Sequence, residues 1–214
     1  MSKKKVLLRS PLLTQSGYGE HGRFVLRSLR SREDLFDIYV HATNWGNTSW
    51  VWEDNEERKF VDECLQKTMQ YSHETGGNPE FDFSLQVTIP NEWDGLAPVN
   101  IGVTAGIETT KAAPVWLERG NHMDRIITVS KHSKDTYTSA SYEGKNKLTG
   151  EPMSLKLETD VDVVGYPVKS RETKDIDLNL TTDFNFFAVQ LLAPRKNTHQ
   201  LIRAFVEQFR DNDN

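Results

Sequence analysis

Residues 99–137 read VNIGVTAGIETTKAAPVWLERGNHMDRIITVSKHSKDTY, and their order of strand, helix, strand and helix decides the fold. Val99 to Val103 is a short apolar run with β-branched residues, as expected of a strand buried on both faces. Thr109 and Thr110 offer hydroxyl caps to a helix that carries Pro114 in its first turns, and Gly120 ends it. Arg125 to Val129 is a second strand of the same kind, and the Ser130 hydroxyl stands where it can cap the next helix. Two apolar strands joined by such a helix make a βαβ unit, which implies parallel pairing and a right-handed crossover. The fold class expected is α/β: a Rossmann-like parallel sheet with helices on both faces.

Toward the N-terminus the pattern repeats. Lys5 to Arg9 (KVLLR) is a continuous apolar strand, followed by SPLLTQSGYGEHG, a loop with Pro11 and three glycines that opens into a helix. Phe24, Val25, Leu26 and Leu29 give that helix an apolar face, and Arg23, Arg27 and Arg30 a solvated one. Phe36 to Ala42 is the second strand. An aromatic and polar segment, NWGNTSWVW, then leads to a helix whose start is acidic at Glu53, Asp54, Glu56 and Glu57, which suits the positive end of its dipole. Phe60, Val61, Cys64, Leu65, Thr68 and Met69 repeat at helical spacing as its core face. HETGGNPE is a loop, and Phe81 to Ile89 a third strand ended by Pro90.

Toward the C-terminus, Tyr142 to Thr159 is polar and lysine-rich and reads as a protruding hairpin or insertion; Asp160 to Gly165 is a further strand. Phe184 to Leu192 (FNFFAVQLL) is a new apolar strand, and Pro194 starts a helix with Leu201, Ile202, Phe205, Val206 and Phe209 on one face. A lone strand and helix cannot bury their apolar faces. The expected organisation is therefore an N-terminal Rossmann-like domain over 1–167, a linker over 168–183, and the first βα unit of an incomplete second domain over 184–214.

Composition narrows the function classes. The 214 residues carry a formal charge of −5 and a pI near 5.7, which weighs against a general nucleic-acid binder while leaving room for a local basic cleft. Cys64 is the one cysteine, so no disulfide or cysteine-based zinc cluster forms within these residues, and its place in an apolar stripe marks it as packing. MSKKK is basic, but the apolar run after it is too short for a signal peptide, and no segment approaches the roughly 20 apolar residues of a membrane span. A cytoplasmic location is expected. The six histidines show no metal-ligand spacing, so no metal is expected.

A resemblance enters on the central stretch. Gly106, Glu108-Thr109, Pro114, Trp116, Asn121, Met123-Asp124 and Val129-Ser130-Lys131 follow one another in an order that resembles the N-terminal domain of GT-B glycosyltransferases of the retaining, group 1 type. FAVQLLAPRKNTHQLIRAF, from Phe187 to Phe205, resembles the opening of that family's C-terminal domain, where a strand precedes a basic turn and an amphipathic helix. The resemblance implies transfer of a sugar from a nucleotide-diphosphate sugar, a co-substrate rather than a cofactor, to a hydroxyl of a sugar or lipid-linked acceptor. It assigns the turn at Arg195 and Lys196 to the leaving diphosphate, the alternative being an ordinary solvated basic turn. Gln190-Leu191 stand where the family usually carries Gly-Arg, so one phosphate-binding cation is missing. The acidic pair that grips the donor sugar has no counterpart, so this chain alone is expected to be inactive or nearly so.

The candidate site residues follow. Gly17-Tyr18-Gly19-Glu20-His21-Gly22 is a literal GxGxxG, but seven residues, Ser10 to Ser16, separate it from the first strand, and the second strand ends in His41, Ala42, Thr43 and Asn44 rather than an acid that would hold a ribose. The expected role of Gly17, Tyr18 and Gly19 is phosphate binding at a helix N-terminus, and the resemblance implies that this loop faces the cleft between two domains; the alternative is a turn that needs positive φ. Glu108, beyond the end of a parallel strand, orients an acceptor hydroxyl or acts as a base, or else serves as a cap or ion-pair partner. His21 is the second catalytic candidate, with an ordinary core or surface histidine as the alternative. Ser130 and Lys131 occupy the same sheet edge, Ser130 as a cap first and a ligand contact second. Trp45, Trp50 and Trp52 cover the sheet edge or stack on a sugar, with covering favoured. Two other classes stand beside the transferase. One is a non-catalytic sugar- or partner-binding module, dimeric through the 184–214 tail or in peripheral membrane contact; the other, an NAD(P)-dependent oxidoreductase, rests on the glycine pattern alone.

Overall fold

The computed structural model describes residues 2–145, 150–190 and 192–210. In chain order its elements are β1 (Lys4–Ser10), α1 (Gly17–Arg30), β2 (Phe36–Ala42), α2 (Glu56–Glu74), β3 (Phe83–Val87), β4 (Asn100–Thr104), α3 (Pro114–Gly120), β5 (Arg125–Thr128), α4 (Lys131–Ser139), β6 (Ser141–Lys145), β7 (Pro152–Lys156), β8 (Val161–Val163) and α5 (Thr198–Phe209). They fall into two units, Met1–Val168 and Lys169–Asn214.

In the first unit the apolar runs pair into a six-stranded sheet of order β2-β1-β3-β4-β5-β8, parallel throughout. The fold is α/β and Rossmann-like, as its sequence pattern predicts. Register fixes which side chains share a face, because alternate residues of a strand point to opposite sides. Val40, Leu8 and Leu85 stand in one row, and Val87, Val103 and Ile127 in another. Leu26 and Leu29 of α1, with Val61 and Cys64 of α2, bury that face. On the other face Ile126 and Val161 pack against Trp93, Leu117 of α3 and Tyr137 of α4. Trp93 is fully buried, and a Cβ on Gly102 would lie 2.7 Å from its indole, so only glycine lets the ring rest against β4.

Several local expectations change. Arg23 is buried rather than solvated. Met69 is 72% exposed and Thr68 turns its hydroxyl to the Val40 N–H at 2.8 Å, so the core face of α2 ends at Leu65. The cap of α3 is Ala113, without a side-chain bond, because Pro114 at the first helical position already removes one N–H that would need a partner. Thr109 and Thr110 therefore cap nothing there. The 142–159 region is an antiparallel pair, β6 with β7, whose tip at 146–149 lies outside the described residues. Cys64 is buried and its thiol is pushed up to about 11 by burial, as befits a packing residue.

In the second unit, residues 169–183 form no regular element. The strand expected over 184–192 does not form among the described residues, and Leu191 lies outside them. A strand needs a neighbour to take its N–H and C=O groups, and this unit supplies none among the described residues. Instead Phe186 packs its ring on Phe205 and Phe209 of α5, at 5.4 and 5.3 Å. The helix opens at Thr198, not at Pro194: Pro194–Lys196 is a short 3-10 turn, and Asn197 follows it with φ 51°.

Candidate functional site

The strand order reverses direction at β1, which lies between β2 and β3. In an open α/β sheet the crevice beyond the carboxyl ends of the strands at such a point is where ligands bind. One wall of it is the loop Pro11–Ser16, and Arg23 holds that loop in shape. Its Nη1 donates to the carbonyls of Leu12 and Thr14, at 2.6 and 3.0 Å, and its Nε to Glu20 at 3.0 Å. An arginine read from sequence as solvated is thus the buried pin of the loop. The loop ends at Ser16, whose Oγ accepts the Gly19 N–H at 2.9 Å and meets the Thr14 hydroxyl at 2.8 Å.

The glycines of GYGEHG lie inside α1, and none of them has positive φ, so the turn role is overturned. Space is the reason for two of them. A Cβ on Gly19 would meet the Thr14 carbonyl oxygen at 2.3 Å, and one on Gly22 the Ser10 hydroxyl at 1.9 Å. They let α1 press against the loop and the end of β1. Gly17 has open space on its Cβ side.

Two helix starts are tied to the end of β4. The Tyr18 hydroxyl bonds the Thr104 hydroxyl at 2.8 Å from the first turn of α1, and burial raises its pKa. From α4, Ser133 touches Gly106: a Cβ there would lie 2.0 Å from the Ser133 hydroxyl, and the residue has φ +86°, so glycine is required twice over. Ser130 caps α4, its Oγ accepting the Ser133 N–H at 3.1 Å. The first turns of α1 and α4, each with N–H groups beyond the helix's own bonds, therefore border the same strand end. Tyr137 of α4 completes this patch, its hydroxyl buried and its pKa raised by that burial.

Serine or threonine ends or directly follows each of β1 to β5: Ser10, Thr43, Thr88, Thr104 and Thr128. The hydroxyls of Ser10, Thr43 and Thr88 are buried with no hydrogen-bond partner among the described residues. These side chains pack beneath the carboxyl edge of the sheet, Ser10, Thr88, Thr104 and Thr128 being fully buried. That recurrence is visible in the sequence once the strand ends are known, and Thr104, Ser133 and Tyr137 are site residues that motif reading missed.

Of the predicted residues, Gly17, Tyr18, Gly19, Glu108, Ser130 and Lys131 come to this edge. Glu108 is exposed in the loop after β4; the neighbouring Thr109 carbonyl lies 3.1 Å from His132 Nε2 and accepts from Thr136 at 3.3 Å, which ties the loop to α4. Lys131 pairs with Asp135 at 2.8 Å on the exposed start of α4. Arg195 and Lys196 belong to the 3-10 turn of the second unit. His21 departs from the catalytic expectation. It is 6% exposed, its ring 5.1 Å from that of Tyr166, in an apolar cavity of about 310 Å³ with Phe24, Val103, Ile127 and Val164. Burial lowers its pKa to about 4 and leaves Nδ1 without a partner among the described residues. Trp45 does cover: its ring lies 4.5 Å from Tyr18. Trp50 and Trp52 do not, being 54% and 80% exposed.

Among the described residues no group of three or more His, Cys, Asp or Glu is placed to hold a metal ion, and no helix is long and apolar enough to cross a membrane. Fold and edge define a parallel α/β protein whose topological switch point is flanked by the loop Pro11–Ser16 and the first turn of α1. Compared with known proteins, the chain matches no family model, no curated protein and no solved structure.

Proposed function

We propose that this protein is a glycosyltransferase component whose carboxyl sheet edge takes a nucleotide-diphosphate sugar or its acceptor, for transfer of the sugar to an acceptor hydroxyl. One observation carries the reading: the first turns of α1 and α4 are both fixed to the end of β4, beside the crevice at β1 and β3. Aligned N–H groups at helix starts favour phosphate oxygens, and the exposed loop after β4 brings Glu108 to the same edge. The order of Gly106, Glu108-Thr109, Pro114, Trp116 and Ser130-Lys131 adds the likeness to GT-B enzymes. Transfer requires an acceptor oxygen to attack the anomeric carbon while the diphosphate departs with the bonding pair. Positioning and stabilisation of that charge supply the rate. Glu108, exposed in the loop after β4, is the carboxylate assigned to the acceptor hydroxyl.

The oxidoreductase alternative gains nothing from the fold. β2 ends in His41 and Ala42 without an acid, and the glycines serve helix packing. The test is calorimetric titration with UDP-, GDP- and ADP-sugars and with NAD and NADP. At least one nucleotide sugar is expected to bind, and Lys131→Ala to weaken it about two- to fivefold, the worth of one exposed ion pair with a phosphate. Binding of NAD or NADP with no binding of any nucleotide sugar overturns the reading.

A further inference from the structure

We propose that Trp50 and Trp52 form a stacking strip for a neutral saccharide chain, which makes the acceptor a glycan. The proposal names the acceptor of the reading above and rests on it in that respect. Tryptophan is seldom left in water, because its large apolar surface is the most rewarding to bury. Here two indoles, 54% and 80% exposed, flank one residue whose backbone is held on both sides. The Val51 N–H donates to the Leu13 carbonyl at 2.7 Å, and its carbonyl accepts from Arg58 Nη1 at 2.7 Å. Trp50 bridges antiparallel to Thr14, and the Gln15 N–H donates to the Ser49 carbonyl at 2.7 Å. The indoles are therefore presented by a fixed backbone. Trp50 lies in that bridge, and residues two apart on an extended chain are about 7 Å apart.

Charge selects the occupant. Glu53, Asp54 and Glu56 follow Trp52; Glu57 is paired with Arg27 at 2.8 Å, and Arg58, which precedes Lys59, is engaged with Asp62 at 3.0 Å. Aromatic platforms for single-stranded nucleic acid combine stacking with a positive groove, and indoles at anionic membranes accompany lysine and arginine. An acidic rim repels both. It suits the C–H faces of a neutral pyranose, whose hydroxyls carboxylates can bind. Two side chains also fall far short of the roughly 800 Å² per partner of a stable protein interface. The strip is continuous with the proposed site: it pairs with the loop Pro11–Ser16 that leads into α1, and Trp45 of the same segment packs at a tilt against Tyr18.

The test uses the full chain on a printed array of neutral gluco-, galacto- and manno-oligosaccharides, with the best ligand then titrated in solution. Trp50→Ala and Trp52→Ala are exposed substitutions, and far-ultraviolet circular dichroism checks that they fold. Each is expected to weaken glycan binding at least tenfold while leaving nucleotide-sugar binding unchanged. Glycan binding that both variants retain, or no binding to any neutral glycan, overturns the proposal. So does selective capture by anionic vesicles, or self-association abolished by these variants. Because nucleotide-sugar affinity is read separately, its failure sinks the transferase reading while tryptophan-dependent glycan binding would still stand.

Discussion

Replacing Trp93 by alanine will destabilise the first unit by about 3–5 kcal/mol, the usual range for deleting a buried tryptophan. Trp93 is wholly buried and its indole N–H donates to the Gln86 carbonyl at 3.1 Å. The Gln86 side chain in turn bonds the backbone of Asp94 in both directions, at 2.6 and 3.0 Å, so the indole is locked into its segment. Gly102 lies beneath the ring with no side chain to fill the space, and collapse cannot repair the cavity. Urea unfolding followed by circular dichroism measures the effect. A loss below about 1 kcal/mol would mean that the site collapses freely, and the packing of β4 against this ring would not be what fixes the strand.

The second large effect is on the pH dependence of stability, through His21. Its folded pKa of about 4 lies below the ordinary value of 6.5, because burial among apolar groups disfavours the charged ring. Between those values the unfolded chain binds the proton and the folded chain does not, so stability falls as pH drops from about 6.5 toward 4. Across the whole window the loss amounts to about 3 kcal/mol, since each tenfold difference in proton affinity between the two states is worth about 1.4 kcal/mol. Carboxylates held below their usual range, such as Asp37 beside Lys67 and Glu20 beside Arg23, lose their contribution at lower pH. Unfolding free energies at pH 7.0 and 5.0 for the wild type and His21→Leu separate the two. The variant is expected to lose most of the slope above pH 5; an unchanged slope would mean that His21 takes its proton without penalty.

The sheet was legible because a parallel strand buried on both faces writes itself as an apolar run: KVLLR and RIIT became strands, and so did FDIYVHA around its buried centre Ile38, Tyr39 and Val40. A helix start was legible at Ser130, whose hydroxyl caps it; the acidic run set the start of α2 at Glu53, before its Asn55 cap, and at Ala113 proline takes the place of a cap. What escaped was whatever depends on the opposite wall. Arg23 looks solvated by periodicity, and only the loop carbonyls of Leu12 and Thr14 draw it inside. The GYGEHG glycines look like a turn, yet their reason is the Thr14 carbonyl and the Ser10 hydroxyl on another element. His21 sits beside the glycines in sequence, but the helix turns it toward Tyr166 and an apolar cavity. The apolar run at 184–192 carries strand chemistry without a strand to pair with, so pattern alone misplaced it.

In the proposed function the helix starts of α1 and α4 and the loop after β4 hold one ligand together. Amide hydrogen exchange with and without a saturating nucleotide-diphosphate sugar tests this most directly. Protection is predicted at residues 16–20, 104–110 and 130–134, with the far ends of α1 and α4 unchanged. Protection confined to other segments, or a bound ligand that leaves both helix starts exchanging at their free rates, would contradict it.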